Sequence, residues 1–193
     1  MERFPKRMFI ALPVDTSGID SVRDELEKSG RALNIVNWKN YHITLKFLGD
    51  TDQAMCHALV TALDRSARPQ KVECFIRGLG YFPGTANPSV IWAGMQYDRE
   101  LVEKLFTFTE NAAVEAGFAP EQRKFIPHLT LARVKRGATV PDSLKDYIKS
   151  SRETIYARCV IDRVILFESV LKKNGPEYNV YKEWELLSVR QHS

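Results

Sequence analysis

Cysteine, histidine and long apolar runs are all scarce in this chain, and each scarcity excludes something. The 193 residues hold three cysteines, Cys56, Cys74 and Cys159. They are scattered, odd in number and form no CxxC, which argues against a disulfide framework or a cysteine zinc site. Buried, reduced thiols in a cytoplasmic protein are expected instead. No apolar stretch approaches the ~18 residues needed to cross a bilayer. The run at 8–12 is short, ends at Pro13 and lacks a small-residue cleavage site, so it reads as a first strand and not as a signal peptide. There is no Gly-rich phosphate loop, no HExxH, no Ser or Cys in a recognised nucleophile frame and no carboxylate cluster. With no Pro/Ser-rich linker either, the chain is expected to be a single domain over 1–193, built as two similar lobes. The formal charge of +4 is compatible with a phosphate-bearing partner without requiring one.

Only four histidines are present, and two of them open copies of one tetrapeptide. The copies are His42-Ile43-Thr44-Leu45 and His128-Leu129-Thr130-Leu131. Each sits in a short apolar run bounded by breakers, at 41–48 and 126–134, and such runs read as strands. Alternation along a strand puts His and Thr on one face and the aliphatic residues on the other. The aliphatic face can pack on a core while the His-Thr face lines a cleft. Lys46 shares the parity of His42 and Thr44, so it too is expected on the cleft face.

The remaining pattern gives strands at 8–14, 33–38, 72–79, 90–95, 157–167 and 180–189. Helices are expected at 18–28, from after Thr51 to about Ser66, at 98–116 and at 141–148, with Asp15, Thr16 and Ser17 as candidate caps for the first. Residues 80–89, with Pro83-Gly84 and Asn87-Pro88, form a loop, and 172–177 a polar turn. Strand–helix–strand–helix order recurs in the two halves, and the His-x-Thr strand follows the first helix of each. The expected fold is therefore α+β: a bilobal pseudo-two-fold duplication with antiparallel sheets, helices outside and a central cleft taking one motif from each lobe.

Imidazole exchanges a proton near neutral pH, so two histidines facing one substrate can act as an acid–base pair. Two threonine hydroxyls beside them suit the non-bridging oxygens of a phosphodiester. Cations such as Lys46 and Arg133 suit charge developing on phosphorus. The residue types point to phosphoryl chemistry without a metal or cofactor.

The segments His42-Ile-Thr-Leu-Lys-Phe-Leu-Gly49 and Pro127-His-Leu-Thr-Leu-Ala-Arg133 resemble the paired motifs of the two-histidine (2H) phosphoesterases. The likeness is to the RNA 2',3'-cyclic phosphodiesterase branch, also called 2'-5' RNA ligases. Segments 7–13, 78–83 and 90–94 extend it over nearly the whole chain. The resemblance implies hydrolysis of a terminal ribose 2',3'-cyclic phosphate to a 2'-phosphomonoester, with 2'-5' ligation as the reverse reaction. It implies His42 as proton donor, His128 as proton acceptor, Thr44 and Thr130 on the phosphate, and Phe47 and Arg133 on the nucleotide. The motifs themselves are nearly symmetric and leave acid and base interchangeable. Strand parity turns a residue five positions after each histidine away from the cleft unless a bulge intervenes.

The expected partner is RNA with a 2',3'-cyclic phosphate end, tRNA fragments or nucleotides among them, met by a monomer that binds no membrane. Two other readings stand beside this one. The groove could bind RNA ends without catalysis, or act on a small cyclic nucleotide or a 2'-5' oligoadenylate. Phe9, Trp38, Trp92 and Phe125 are candidates for base stacking, with core packing the commoner role of strand aromatics. His57, His192 and the pair Arg123-Lys124 are expected on solvated surface.

Overall fold

The computed structural model describes residues 3–84, 88–173 and 175–188. His192, positions 85–87 of the expected loop, position 174 and the end of the last expected strand at Val189 lie outside that set. The described strands join in one antiparallel sheet. Strands β1 (Lys6–Pro13), β3 (His42–Thr51), β8 (Arg163–Lys172) and β9 (Gly175–Glu185) make one lobe, and β4 (Val72–Phe82), β5 (Val90–Tyr97), β6 (His128–Val134) and β7 (Ile155–Ile161) the other. The order is β7-β4-β5-β6-β3-β1-β8-β9, symmetric about the β6–β3 junction, with the short β2 (Leu33–Ile35) also paired to β6.

The junction positions the site. β3 and β6 pair at Ile43 and Leu129, while residues 132–134 of β6 take their partners from β2. The two motif strands thus meet near their first residues and then part, which opens a cleft between the lobes. Continuing the antiparallel register by one step sets His42 across from Thr130 and Thr44 across from His128.

Among the described residues four α-helices pack on the sheet: α1 (Asp20–Lys28), α2 (Gln53–Arg65), α3 (Arg99–Glu115) and α4 (Asp142–Ser150). Their apolar stripes, for instance Val22 and Leu26, Leu59 and Leu63, Leu105 and Ala112, Leu144 and Ile148, share one core with Ile43, Leu45, Leu129 and Leu131. Asp52 and Asp98 cap α2 and α3 by accepting the backbone N–H of Met55 and Leu101. The first helix differs from expectation: Ile19 precedes it, no side chain caps it, and Asp15 accepts the N–H of Ser17 in a local turn.

Three expected boundaries also move. The strand expected at 157–167 is two strands broken at Asp162, because the chain there leaves one lobe for the other; the Asp162 carbonyl accepts the N–H of Leu186. β4 runs on to Phe82, shortening the expected loop. The polar turn expected at 172–177 is the tip of the β8–β9 hairpin, whose pairing continues to Lys172 and Gly175. All three cysteines are buried and none is in a disulfide, and Cys74 faces Cys159 across β4 and β7.

Candidate active site

Both motif strands carry a bulge at the same place. Against β1, Thr44 pairs with Ala11 and Lys46 with Ile10, leaving Leu45 without a partner. Against β5, Thr130 pairs with Trp92 and Ala132 with Ile91, leaving Leu131 without one. An extra residue reverses the inside–outside alternation beyond it. The burial sequence is accordingly the same in the two copies: His and Thr half-buried, the bulged pair buried, and the residue five positions after the histidine exposed. Phe47 and Arg133 therefore return to the face of the histidines, against simple strand parity.

The same bulge overturns the expectation for Lys46. Its side chain lies on the core side of β3, 5% exposed. There Nζ donates to both carboxylate oxygens of Glu110 on α3 and to the Ala119 carbonyl, at 2.8–3.0 Å. Lys46 is the buried end of a strand–helix ion pair, and the structure does not bring it into the cleft.

The two histidines share a tautomer. His42 Nδ1 lies 2.7 Å from the Asn40 carbonyl oxygen and His128 Nδ1 2.8 Å from that of Ile126. A carbonyl only accepts, so each Nδ1 carries the proton and each Nε2 presents a lone pair when the ring is neutral. His42 Nε2 is 3.1 Å from Thr44 Oγ1, whose hydroxyl then donates to it.

The surroundings of the two rings differ. His42 is held below the ordinary imidazole pKa, chiefly by burial. The hydrogen bond to Asn40 opposes this, while the charges of His128 and Arg133 reinforce it. Both groups belong to the other lobe, so the cleft is narrow enough for its walls to interact electrostatically. Phe9 packs on the His42 ring at 4.9 Å between centroids, and Tyr178 meets it edge-on at 5.3 Å. Phe167 stacks on Phe9, and Phe47, 72% exposed, extends the cluster outward. Burial raises the Tyr178 hydroxyl pKa, while Arg133 and Arg7 act in the other direction. Across the cleft, Phe82 meets His128 edge-on at 5.2 Å and Trp92 lies 6.5 Å from it.

Of the stacking candidates, Phe9 and Trp92 thus border the histidines. Phe125 stacks on Phe106, and Trp38 is exposed beside Lys39 in a 3₁₀ turn at Trp38–Asn40. His57, Arg123 and Lys124 are exposed, as expected. Tyr178, Phe167 and Phe82 were not anticipated as neighbours of the histidines. The first two arrive with the β8–β9 hairpin, whose pairing to β1 no local pattern announces. Among the described residues, no three His, Cys, Asp or Glu side chains are placed to hold a metal ion, and no helix is long and apolar enough to cross a membrane.

Residues 10–92 and again 97–178 match the sequence profile of the LigT-like phosphoesterases. The chain belongs to this family. It is similar to the RNA 2',3'-cyclic phosphodiesterase of Methanocaldococcus jannaschii, 32% identical over 183 residues that cover 92% of this chain and 99% of that one. It is also similar to the RNA 2',3'-cyclic phosphodiesterase of Thermotoga maritima, 31% identical over 181 residues, or 92% and 94% of the two chains. The fold is that of E. coli LigT crystallised with 3'-AMP: TM-score 0.75 at 22% identity, over 94% of this chain and 98% of that one. The family assignment makes the chain a 2H phosphoesterase of α+β, pseudo-duplicated architecture.

Proposed function

We propose that the protein hydrolyses the 2',3'-cyclic phosphate at an RNA end to a 2'-phosphomonoester, using His42 and His128 as an acid–base pair and no metal. The observation that carries this reading is the shared tautomer: two Nε2 atoms, one from each lobe, fixed by identical Nδ1–carbonyl bonds across one junction. The curated relatives named for this activity support the choice of substrate.

In the reaction, neutral His128 takes a proton from water as its oxygen attacks phosphorus. The bond from phosphorus to the 3'-oxygen breaks, and protonated His42 gives that oxygen its proton. Thr44 and Thr130 hold the non-bridging oxygens, and Arg133 offsets the charge that builds on them. Phe47 supplies an exposed face for the terminal base. Each imidazole ends in the other's starting state, so water exchange resets the pair. With a 5'-hydroxyl attacking in place of water, the same steps join two ends by a 2'-5' linkage, the reverse of cleaving such a linkage to a cyclic end.

One observation favours the exchanged roles. Burial, His128 and Arg133 all favour neutral His42, so the free protein presents that ring as a base. An anion bound between the rings offsets the two charges but leaves the burial. A substrate with sulfur in place of the 3'-oxygen separates the assignments, because a thiolate leaves without an acid. Restoration of His42→Ala and not His128→Ala on that substrate makes His42 the acid; the opposite pattern makes it the base.

The direct test uses a short RNA with a 2',3'-cyclic end in the presence of EDTA, and phosphorus NMR of the product. The expected result is a 2'-phosphate from the native protein and almost none from His42→Ala or His128→Ala. Turnover that persists in both variants overturns the acid–base pair, and its absence from the native protein overturns the activity in favour of an RNA-end-binding groove.

A further inference from the structure

Beyond the histidines, the sheet carries a second recess. A cavity of about 490 Å³ lies where the end of α4 and the turn after it approach β4 and β5. Its lining includes four cations, Arg77, Lys145, Lys149 and Arg152, against one carboxylate, Asp146. Two of the cations are committed elsewhere: Arg77 to Glu153 and to Gln96 (2.6 Å), and Lys145 to Asp142 (2.9 Å). Lys149 and Arg152 are exposed and, among the described residues, have no acidic partner.

Trp92 joins this recess to the catalytic cleft. It lines the cavity, and its ring is also the one that lies 6.5 Å from His128 and 5.0 Å from Phe82. The ring lies against the sheet: a Cβ added at Gly80 would come within 2.3 Å of it. The indole Nε1 is buried without a hydrogen-bond partner. A close backbone approach fixes the other wall. A Cβ on Gly78, which has φ of 72°, would stand 2.3 Å from the Arg152 carbonyl oxygen, so only glycine lets the Arg152 turn rest on β4.

A recess that joins four cations to apolar and aromatic walls, separated from the phosphate-handling centre by one aromatic ring, has the makeup of a nucleic-acid track, in which cations follow the backbone and rings take the bases. Resting on the cyclic phosphodiesterase reading, we infer that this recess holds backbone phosphate of the nucleotides upstream of the cyclic end, with Lys149 and Arg152 as its principal contacts. The RNA strand runs from the histidines over Trp92 and Phe82 towards α4. The site makes the preferred substrate an oligonucleotide: a mononucleoside 2',3'-cyclic phosphate fills the cleft and leaves the recess vacant. The cation pair would also accept the 5'-phosphates of a free nucleotide, and the length series below distinguishes the two sources.

The test compares adenosine 2',3'-cyclic phosphate, the same compound with a 5'-phosphate, and oligoadenylates of two and four residues ending in the cyclic phosphate. The proteins are the native chain, Lys149→Ala, Arg152→Ala and the double variant. Native KM is expected to fall several-fold from the mononucleoside to the tetranucleotide. The double variant is expected to lose most of that gain while keeping the native kcat/KM on the mononucleoside. A gain already complete with the 5'-phosphorylated mononucleotide assigns the recess to free nucleotides and overturns the oligonucleotide assignment. Binding of a fluorescent tetra-adenylate ending in 2'-phosphate, titrated with salt, gives a readout that needs no turnover. Each lost phosphate contact is expected to reduce the log–log salt slope by about 1. Unchanged slopes, or equal losses on mononucleoside and tetranucleotide, overturn the inference. Absence of turnover by the native protein on every cyclic substrate, with the slope differences intact, sinks the catalytic reading and leaves the recess standing.

Discussion

Lys46 and Glu110 form an ion pair across the strand–helix interface, with Nζ 2.8 Å from Oε2 and both side chains largely withdrawn from solvent. Glu110 also accepts the N–H of Glu121 and Lys46 donates to Ala119, so the pair ties β3 and α3 to the connector that leads into β6. Its place one residue before Phe47 means that it anchors the bulge from below.

Replacing Lys46 by methionine leaves the Glu110 carboxylate without its counter-charge in a mostly dry site. Removing one partner of such a pair costs on the order of 3 kcal/mol. The expected outcome is a clear fall in the urea midpoint, with kcat of the folded fraction within a few-fold of native. A stable variant that has lost catalysis would instead return Lys46 to the cleft.

Stability should depend on pH through His42. Its folded pKa lies below the unfolded value of about 6.5, so the unfolded chain binds a proton more readily. Above pH 6.5 both states are neutral at this residue and nothing is lost. As pH falls through 6.5 towards the lower folded value, stability declines, and below that value the full penalty applies. Thermal unfolding between pH 7.5 and 5 is expected to show this decline in the native protein, and a shallower one in His42→Gln.

Thr44→Val removes the hydroxyl that contacts His42 Nε2 and is proposed to hold the phosphate. A single hydrogen bond of this kind contributes about 1–1.5 kcal/mol, so kcat/KM should fall roughly tenfold. Thr44→Ser should stay near the native rate. Steady-state kinetics on one cyclic-ended RNA compares the three proteins.

Phe47→Ala should leave the melting temperature almost unchanged, because the ring is 72% exposed. Base–aromatic stacking is worth about 1–3 kcal/mol per base, so KM is expected to rise about tenfold or more with little change in kcat. A substrate whose terminal residue lacks a base should show no difference between the two proteins.

How much of this could be read from the sequence divides along physical lines. The motif strands, the four helices and the lobed α+β plan were legible, because alternation, helical spacing and breakers are local signals. The facing of Phe47, Lys46 and Arg133 was not. A bulge adds one residue without any composition signature, and it exchanged the expected positions of Lys46 and Phe47. Tyr178 and Phe167 were invisible for another reason: they reach His42 because β8, which carries β9 with it, pairs with β1 at positions such as Phe9 and Phe167, 158 residues apart in the chain. The matching Nδ1–carbonyl bonds were not legible either: each histidine opens its strand and reaches the carbonyl two residues before it, whereas the apolar runs at 41–48 and 126–134 began earlier.

The strand order has one more consequence. β4 comes from the first half of the chain yet pairs within the second lobe, while β8 and β9 come from the second half and complete the first. The lobes are interleaved, so neither can be excised as a self-sufficient piece, and a chain severed between Phe82 and Val90 should yield two fragments that fold only on each other. One sheet also crosses the junction, through the pairing of Ile43 with Leu129, and this pairing sets His42 and His128 diagonally across from each other. The cleft is thereby preset for its substrate, and little of the binding energy need go into drawing the two walls together.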